Sequence, residues 1–270
     1  MYLLRIQQWK NILGTQVPFY GICVSLGLLA IVFMLYRQIR QHKLTQEEEN
    51  VVMVVFPFTM LSGVLFAFLW DCFFRETWKT WGGNEEIQLG FTYLGWLFGV
   101  VLFLFIYGLK CRFGILFLLN LYLPSFSLAQ AFGRVGCFLG GCCYGIPCET
   151  FGFSYPLGSL PYSFLGDVRL FPVQLVEAFC LLILFVFCQR CRFAIRAATY
   201  LIGMSIFRFI LEFLRFDNRG TFYENGFLSP AQGFSIFFLM LGLALYILER
   251  LERVCNQIFE DVGMTQERYE

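Results

Sequence analysis

The chain has 270 residues, 58% hydrophobic, 20% aromatic and 14% charged, with a mean hydropathy of +0.66 and a formal net charge of +1. A soluble globular domain is nearer about 45–50% apolar and about 25% charged, so this composition excludes a water-soluble fold and sets most side chains against lipid. The net charge is uninformative about partners, and with no basic tract in the sequence nucleic acid is not an expected partner.

The N-terminal stretch MYLLRIQQWKNILGTQ carries two cations and no uninterrupted apolar core before Val17, which makes a poor signal peptide. Apolar segments then follow at roughly 17–36, 51–74, 89–109, 113–132, 171–189, 194–214 and 228–248. Each is near the ~20 residues a helix needs to cross the hydrocarbon core. Open sheets would leave edge amides unpaired in lipid. The expectation is an all-α integral membrane protein of about seven transmembrane helices in a single domain, residues 1–270. Basic residues flanking the spans favour the N-terminus outside and the C-terminus inside.

Between the spans lie charged or polar loops, QIRQHKLTQEEEN, FRETWKTWGGNEEIQ and FDNRGTFYENG, and a Gly/Pro-rich connection over 137–170. The sole histidine, His42, sits in the first of these loops beside three glutamates and reads as a solvated surface residue.

Ionisable groups at the membrane centre cost at least about 2.5–3.5 kcal/mol, so those near the spans are candidates for function. Arg134 follows the fourth span. The segment IFRFILEFLRF carries Arg208, Glu212 and Arg215, whose spacing of four and three puts them on one helix face. A structural ion pair and an anion-binding site are both open readings. Guanidinium groups bind phosphate through a planar fork, best where water is scarce. In FPVQLVE, Pro172 can open a helix that sets Gln174 and Glu177 on one face, either as interfacial residues or as acceptors that orient the arginines.

The stretch GRVGCFLGGCCYG combines Arg134 with glycines at 133, 136, 140, 141 and 145, which allow close approach of a ligand or a second helix. It also carries Cys137, Cys142 and Cys143, with Cys148 shortly after. The pattern C-x4-C-C-x4-C departs from paired C-x2–4-C zinc units. A disulfide on an oxidising face, a metal, direct participation of a thiol and inert packing all remain open, and no metal or cofactor is expected.

Together these segments resemble the prolipoprotein diacylglyceryl transferase family. GRVGCFLGGCCYG is similar to the family stretch G-R-x-G-N-F-x-N-x-E-x-x-G, keeping Gly133, Arg134, Gly136, Phe138 and Gly145. FPVQLVE resembles H-P-x-Q-L-Y-E, and IFRFILEFLR resembles F-R-x-x-x-E-x-x-R. LSPAQGFSIF resembles the run before the last span, with Gln232 kept, and VPFYG places Tyr20 at the family's functional tyrosine. The resemblance implies transfer of a diacylglyceryl group from phosphatidylglycerol to the lipobox cysteine of a prolipoprotein signal sequence. Glycerol 1-phosphate is released at the bacterial plasma membrane. It implies catalytic roles for Arg134, Arg208, Glu212 and Tyr20. Substrate contacts fall to Gly95, Gly133, Gly136, Cys137, Cys142, Gly145, Gln174, Glu177 and Arg215. The chain departs from the family at Leu94, where a histidine is expected, at Trp96, and at Cys137, Gly140 and Cys142 within the hallmark. A non-catalytic lipid-binding or thiol-redox protein on the same scaffold is the alternative. The transferase reading requires Arg134, Arg208 and Glu212 to meet at one cavity opening sideways to lipid.

Overall fold

A computed structural model describes residues 19–74, 92–110, 114–157, 159–216 and 228–261. The N-terminal stretch, most of the FRETWKTWGGNEEIQ loop and the FDNRG loop lie outside the described residues. Seven long helices run as α1 Phe19–His42, α2 Gln46–Phe74, α3 Tyr93–Gly108, α4 Gly114–Gly140, α6 Val173–Arg190, α7 Arg196–Glu212 and α8 Pro230–Asp261. A short helix, α5 Leu160–Leu165, and a two-residue antiparallel pair, β1 Phe153–Ser154 with β2 Arg169–Leu170, fold the connection between α4 and α6.

Six of the seven are long and apolar enough to cross a membrane, and α3 is a shorter apolar helix of 16 residues. Large apolar side chains such as Leu29, Phe33, Leu61 and Phe179 stand exposed on the outer faces of the bundle, as lipid contact requires. This is a multi-pass membrane protein.

α4 occupies the centre. Its most apolar window is 67% buried, against 28–44% for the other long helices, and it packs on α1, α3, α6 and α7. Small residues set the closest approach: a methyl on Gly27 would lie 3.0 Å from the Ala129 carbonyl oxygen. Polar glue reinforces the same seam, with Gln38 Nε2 donating to Leu121 O (3.0 Å) and to Ser125 Oγ (3.1 Å). α1 and α4 are therefore antiparallel, with Tyr20 and Cys23 beside Gly136 at one end. His42 stands at the other end, exposed and with its ring against Phe193.

The structure corrects three sequence expectations. The fourth span continues past residue 132 to Gly140, so Gly133, Arg134, Gly136 and Cys137 sit inside α4 and the connection begins at Gly141. Glycine reads as a helix breaker in water, yet here Gly136 is helical and lets Tyr20 and Cys23 pack on α4. The break comes where the backbone turns left-handed, at Gly141 (φ +68°). Second, α7 ends at Glu212, so Arg215 lies beyond the helix and pairs in a β-bridge with Gly145. Third, α8 runs well past residue 248, to Asp261.

Candidate active site

The ends of α4, α6, α7 and α8 converge on a cluster of alternating charge. Arg134 Nε on α4 lies 2.9 Å from Glu177 Oε1 on α6. The other oxygen of Glu177 faces Arg208 NH1 on α7 at 3.8 Å. Arg208 NH2 is 2.6 Å from Glu212 Oε2, and Arg215 Nε stands 3.9 Å from that same oxygen. Arg134, Glu177 and Arg208 are 7%, 2% and 2% exposed, so the contacts operate in a medium far less screening than water.

Among the described residues, three guanidinium groups and two carboxylates give this cluster a formal charge of +1. Arg208 NH1 makes no hydrogen bond. Beside Arg134, a methyl on Gly133 would meet nothing within 4 Å, so the backbone there faces open space. The spacing argument for Arg208 and Glu212 holds, and Arg215 joins them from the following turn rather than from the helix.

The segment after α4 is fastened to this cluster through its backbone. Gly145 N–H donates to Phe171 O (3.2 Å), Ile146 N–H to Leu214 O (3.0 Å) and Phe216 N–H to Tyr144 O (3.2 Å). A methyl on Gly145 would come within 2.6 Å of Phe171 O and 2.8 Å of Leu214 O, so only glycine fits without a backbone shift. Gln174 Nε2 donates to Cys142 O (2.7 Å) and to the Tyr155 hydroxyl (3.0 Å), tying α6 to the same segment. Burial pushes the Tyr155 phenol up to about 12.

No disulfide joins any of the described cysteines. Instead the sulfurs of Cys137, Cys142 and Cys143 lie within 4.8 Å of one another, all half-buried. Hydrogen bonds from Cys137 and Cys142 hold the Cys143 thiol well below the ordinary range, with Arg215 and Arg134 adding to the effect. Its bonds with Cys137 and Cys143 push Cys142 up. Tyr20, in the first turn of α1, covers Gly136 and Gly140 on the flank of this thiol group.

Gly95 is not brought to the cluster. Its Cα packs on α2, where an added methyl would meet Trp70 Cβ at 2.6 Å and Phe66 O at 2.9 Å. Leu94 is buried in the core, and Tyr93 hydrogen-bonds the Tyr200 hydroxyl. Along α6, α7 and α8 runs an apolar groove of about 440 Å³ lined by residues including Leu184, Phe187, Ile202, Phe207 and Leu243. It begins one residue from Arg208 and follows α7 back to Thr199, about 12 Å along the helix.

Two residues of the site were not singled out from sequence. Tyr155 carries no local signal. Ser229 does, because S-x-x-Q before an apolar run is a capping box. Ser229 N–H donates to Gln232 Oε1 (3.0 Å) and Gln232 N–H to Ser229 Oγ (3.2 Å). The same hydroxyl donates to Glu212 Oε1 (3.0 Å), so the start of α8 steadies the carboxylate that holds Arg208. Ser229→Ala removes the cap at a cost of about 1 kcal/mol and releases one oxygen of Glu212. The expected result is a lower melting temperature in detergent, whereas Ser229→Thr, which keeps the hydroxyl, melts near the wild type.

Residues 9–248 match the family model described as prolipoprotein diacylglyceryl transferase. The chain belongs to this family. The match includes every residue of the arginine–carboxylate cluster and all three clustered thiols. Among similar members of the transferase family, phosphatidylglycerol–prolipoprotein diacylglyceryl transferase 2 of Clostridium perfringens is 30% identical over 253 residues, covering 90% of this chain and 94% of the relative. The Clostridium tetani transferase is 29% identical over 257 residues, covering 90% and 97%. That of Dehalococcoides mccartyi is 31% identical over 178 residues, covering 63% and 65%.

Proposed function

We propose that the chain is a phosphatidylglycerol–prolipoprotein diacylglyceryl transferase of the bacterial plasma membrane. The observation that carries this reading is the meeting of Arg134 and Arg208 on the two oxygens of Glu177, in a buried cluster of net positive charge. A phosphodiester headgroup supplies the anion such a cluster calls for.

The acceptor thiol gives its proton to solvent, from which the departing phosphate can take one up, and its sulfur attacks the glycerol carbon of the diacylglyceryl group. As the carbon–sulfur bond forms, the carbon–oxygen bond to phosphate breaks, and the electron pair leaves on the phosphate oxygen. Arg134 and Arg208 hold that phosphate and stabilise the charge it gains, the step at which fixed donors are most effective. Glu177 and Glu212 aim the two guanidinium groups, and Arg215 supports Glu212. Gln174 holds the Cys142 backbone, and Tyr20 lies within reach of a headgroup oxygen. The apolar groove that reaches Phe207 on α7 suits an acyl chain.

Expression in a bacterium depleted of its own transferase tests the reading, with mass spectrometry of a reporter lipoprotein. The wild type is expected to restore growth and diacylglyceryl-cysteine, and Arg134→Ala to restore neither. Membrane-inserted wild-type protein that yields no modified lipoprotein overturns the assignment and leaves a lipid-binding member of the family.

A further inference from the structure

A group of three thiols beside the arginine cluster has no part in holding the phosphate, and its geometry is that of a ligand set. The sulfurs of Cys137, Cys142 and Cys143 all lie within 4.8 Å of one another. In a tetrahedral zinc site with bonds of about 2.3 Å, neighbouring sulfurs stand about 3.8 Å apart. Side-chain torsion alone covers the difference of about 1 Å or less.

Adjacent cysteines do not ordinarily converge, because neighbouring side chains of an extended chain point to opposite sides. Here they do, because Cys143 takes a left-handed backbone, φ +60°, one of two non-glycine residues with positive φ among those described. That conformation costs an L-residue about 1–2 kcal/mol, and such strain tends to mark functional positions. The group is also rigidly mounted. Cys137 lies in the last turn of α4, Cys142 N–H donates to its carbonyl (3.0 Å), and the Cys142 carbonyl is held by Gln174. Arg134 and Arg215 are near enough to act electrostatically on Cys143, which favours an anionic metal–thiolate group there.

We infer that Cys137, Cys142 and Cys143 form a three-thiolate site for zinc or a similarly soft closed-shell cation, whose open fourth position takes the acceptor cysteine thiol. Three protein ligands with one vacant position is the arrangement of catalytic rather than structural zinc. Cys148 does not complete the set, since the three-sulfur group excludes it and its backbone is engaged with Arg169. The three cysteines are only partly buried, as access by an incoming ligand requires. The site also lacks an imidazole to take the acceptor's proton: His42, the one histidine, lies at the far end of α1, about 33 Å along the helix from Tyr20. A coordinated thiol needs no such base, because the metal deprotonates it outright. Loading the ion releases to solvent the protons that the thiol group still carries, and ligation of the acceptor releases one more. The bound sulfur then forms its bond to glycerol carbon as the phosphate departs with the carbon–oxygen pair.

The fourth-ligand half of this inference rests on the transferase reading; the metal site does not. Protein purified in detergent from zinc-supplemented cells, with thiols kept reduced, is expected to carry about one zinc per chain by elemental analysis. The Cys137→Ser/Cys142→Ser/Cys143→Ser variant is expected to carry none. Cys143→Gly, which suits the left-handed backbone and so removes the concern of misfolding, is also expected to lose the zinc, whereas Cys148→Ser keeps it. Arg208→Ala is expected to keep its zinc while losing transfer, which separates the metal from the phosphate machinery. In cobalt-substituted protein, thiolate charge-transfer bands are expected, and a cysteine-containing signal peptide shifts the visible bands while its Cys→Ser counterpart does not. Reduced wild-type protein with no more zinc than the triple variant overturns the site, as does a disulfide among the three that takes no zinc after reduction. Zinc without a peptide-induced shift, or undiminished transfer by the triple variant, overturns the fourth-ligand role while leaving the transferase assignment intact. Zinc and the shift without any transfer supports the site and removes the assignment instead.

Discussion

Glu177→Gln is expected to lower both the melting temperature and the transfer rate by large amounts, because one carboxylate joins two buried arginines. Its oxygens lie 2.9 Å from Arg134 Nε and 3.8 Å from Arg208 NH1, and the residue is 2% exposed. Glutamine keeps the volume but removes the charge and can turn an N–H₂ group toward a guanidinium that has nothing to give it. Removing one member of a buried ionic group costs about 3–5 kcal/mol, since the partner is left uncompensated. For a chain of this size that is a fall in melting temperature on the order of 10 °C. Transfer is expected to fall by about 100-fold, the scale set by a small misplacement of a positioned group. Glu177→Asp keeps the charge on a shorter stem, so it is expected to melt near the wild type while transferring slowly. Thermal denaturation in detergent beside a lipoprotein transfer assay separates the two effects. Wild-type melting and wild-type transfer by the glutamine variant would show that the bridge has no role.

The sequence leaves Glu177 between two readings, an interfacial residue or an acceptor that orients the arginines, and the reason is physical. FPVQLVE shows an acid on one helix face, but the partners that give it meaning sit on α4 and α7, far away along the chain. Local spacing does report local pairs, so Arg208 and Glu212, four apart on α7, were legible. The same rule overextended to Arg215, because nothing in IFRFILEFLRF marks the end of the helix at Glu212. That end comes from a tertiary partner, the bridge to Gly145. Apolar runs gave the bundle well, since lipid imposes length and composition on each span. They gave the end of α4 poorly, because glycines that would break a helix in water serve here as a landing for Tyr20. Gly95 followed the motif alignment and proved to be a packing contact with Trp70 and Phe66. The cysteines show the converse limit. Their spacing argued against a metal unit of the usual kind, while a single left-handed residue, Cys143, is enough to bring three sulfurs together.

Arg208→Met is expected to abolish transfer with far less loss of stability than Glu177→Gln, a contrast that follows from how the cluster is wired. Once Arg208 is gone, Glu177 keeps Arg134 at 2.9 Å and Glu212 keeps Arg215 at 3.9 Å. Each carboxylate still has a cation, so no buried charge is orphaned, and methionine fills much of the vacated volume. Among the described residues the cluster loses one of its three positive charges, so the anion loses part of the field that draws it in. The NH1 of the missing group also makes no hydrogen bond within the protein. Removing a donor that stabilises charge in the transition state lowers kcat by about 10²–10³-fold. Arg208→Lys restores the charge as a compact ammonium without the planar fork, so it recovers part of the rate and not all of it. Arg134→Met likewise leaves Glu177 one cation, Arg208 at 3.8 Å, so it is expected to lose transfer with a stability loss comparable to that of Arg208→Met. Melting temperatures and transfer rates measured on the three variants in the same lipid check the ordering. Arg208→Met protein that transfers within about tenfold of the wild type would mean that phosphate is held elsewhere, since a lost transition-state donor costs more than that.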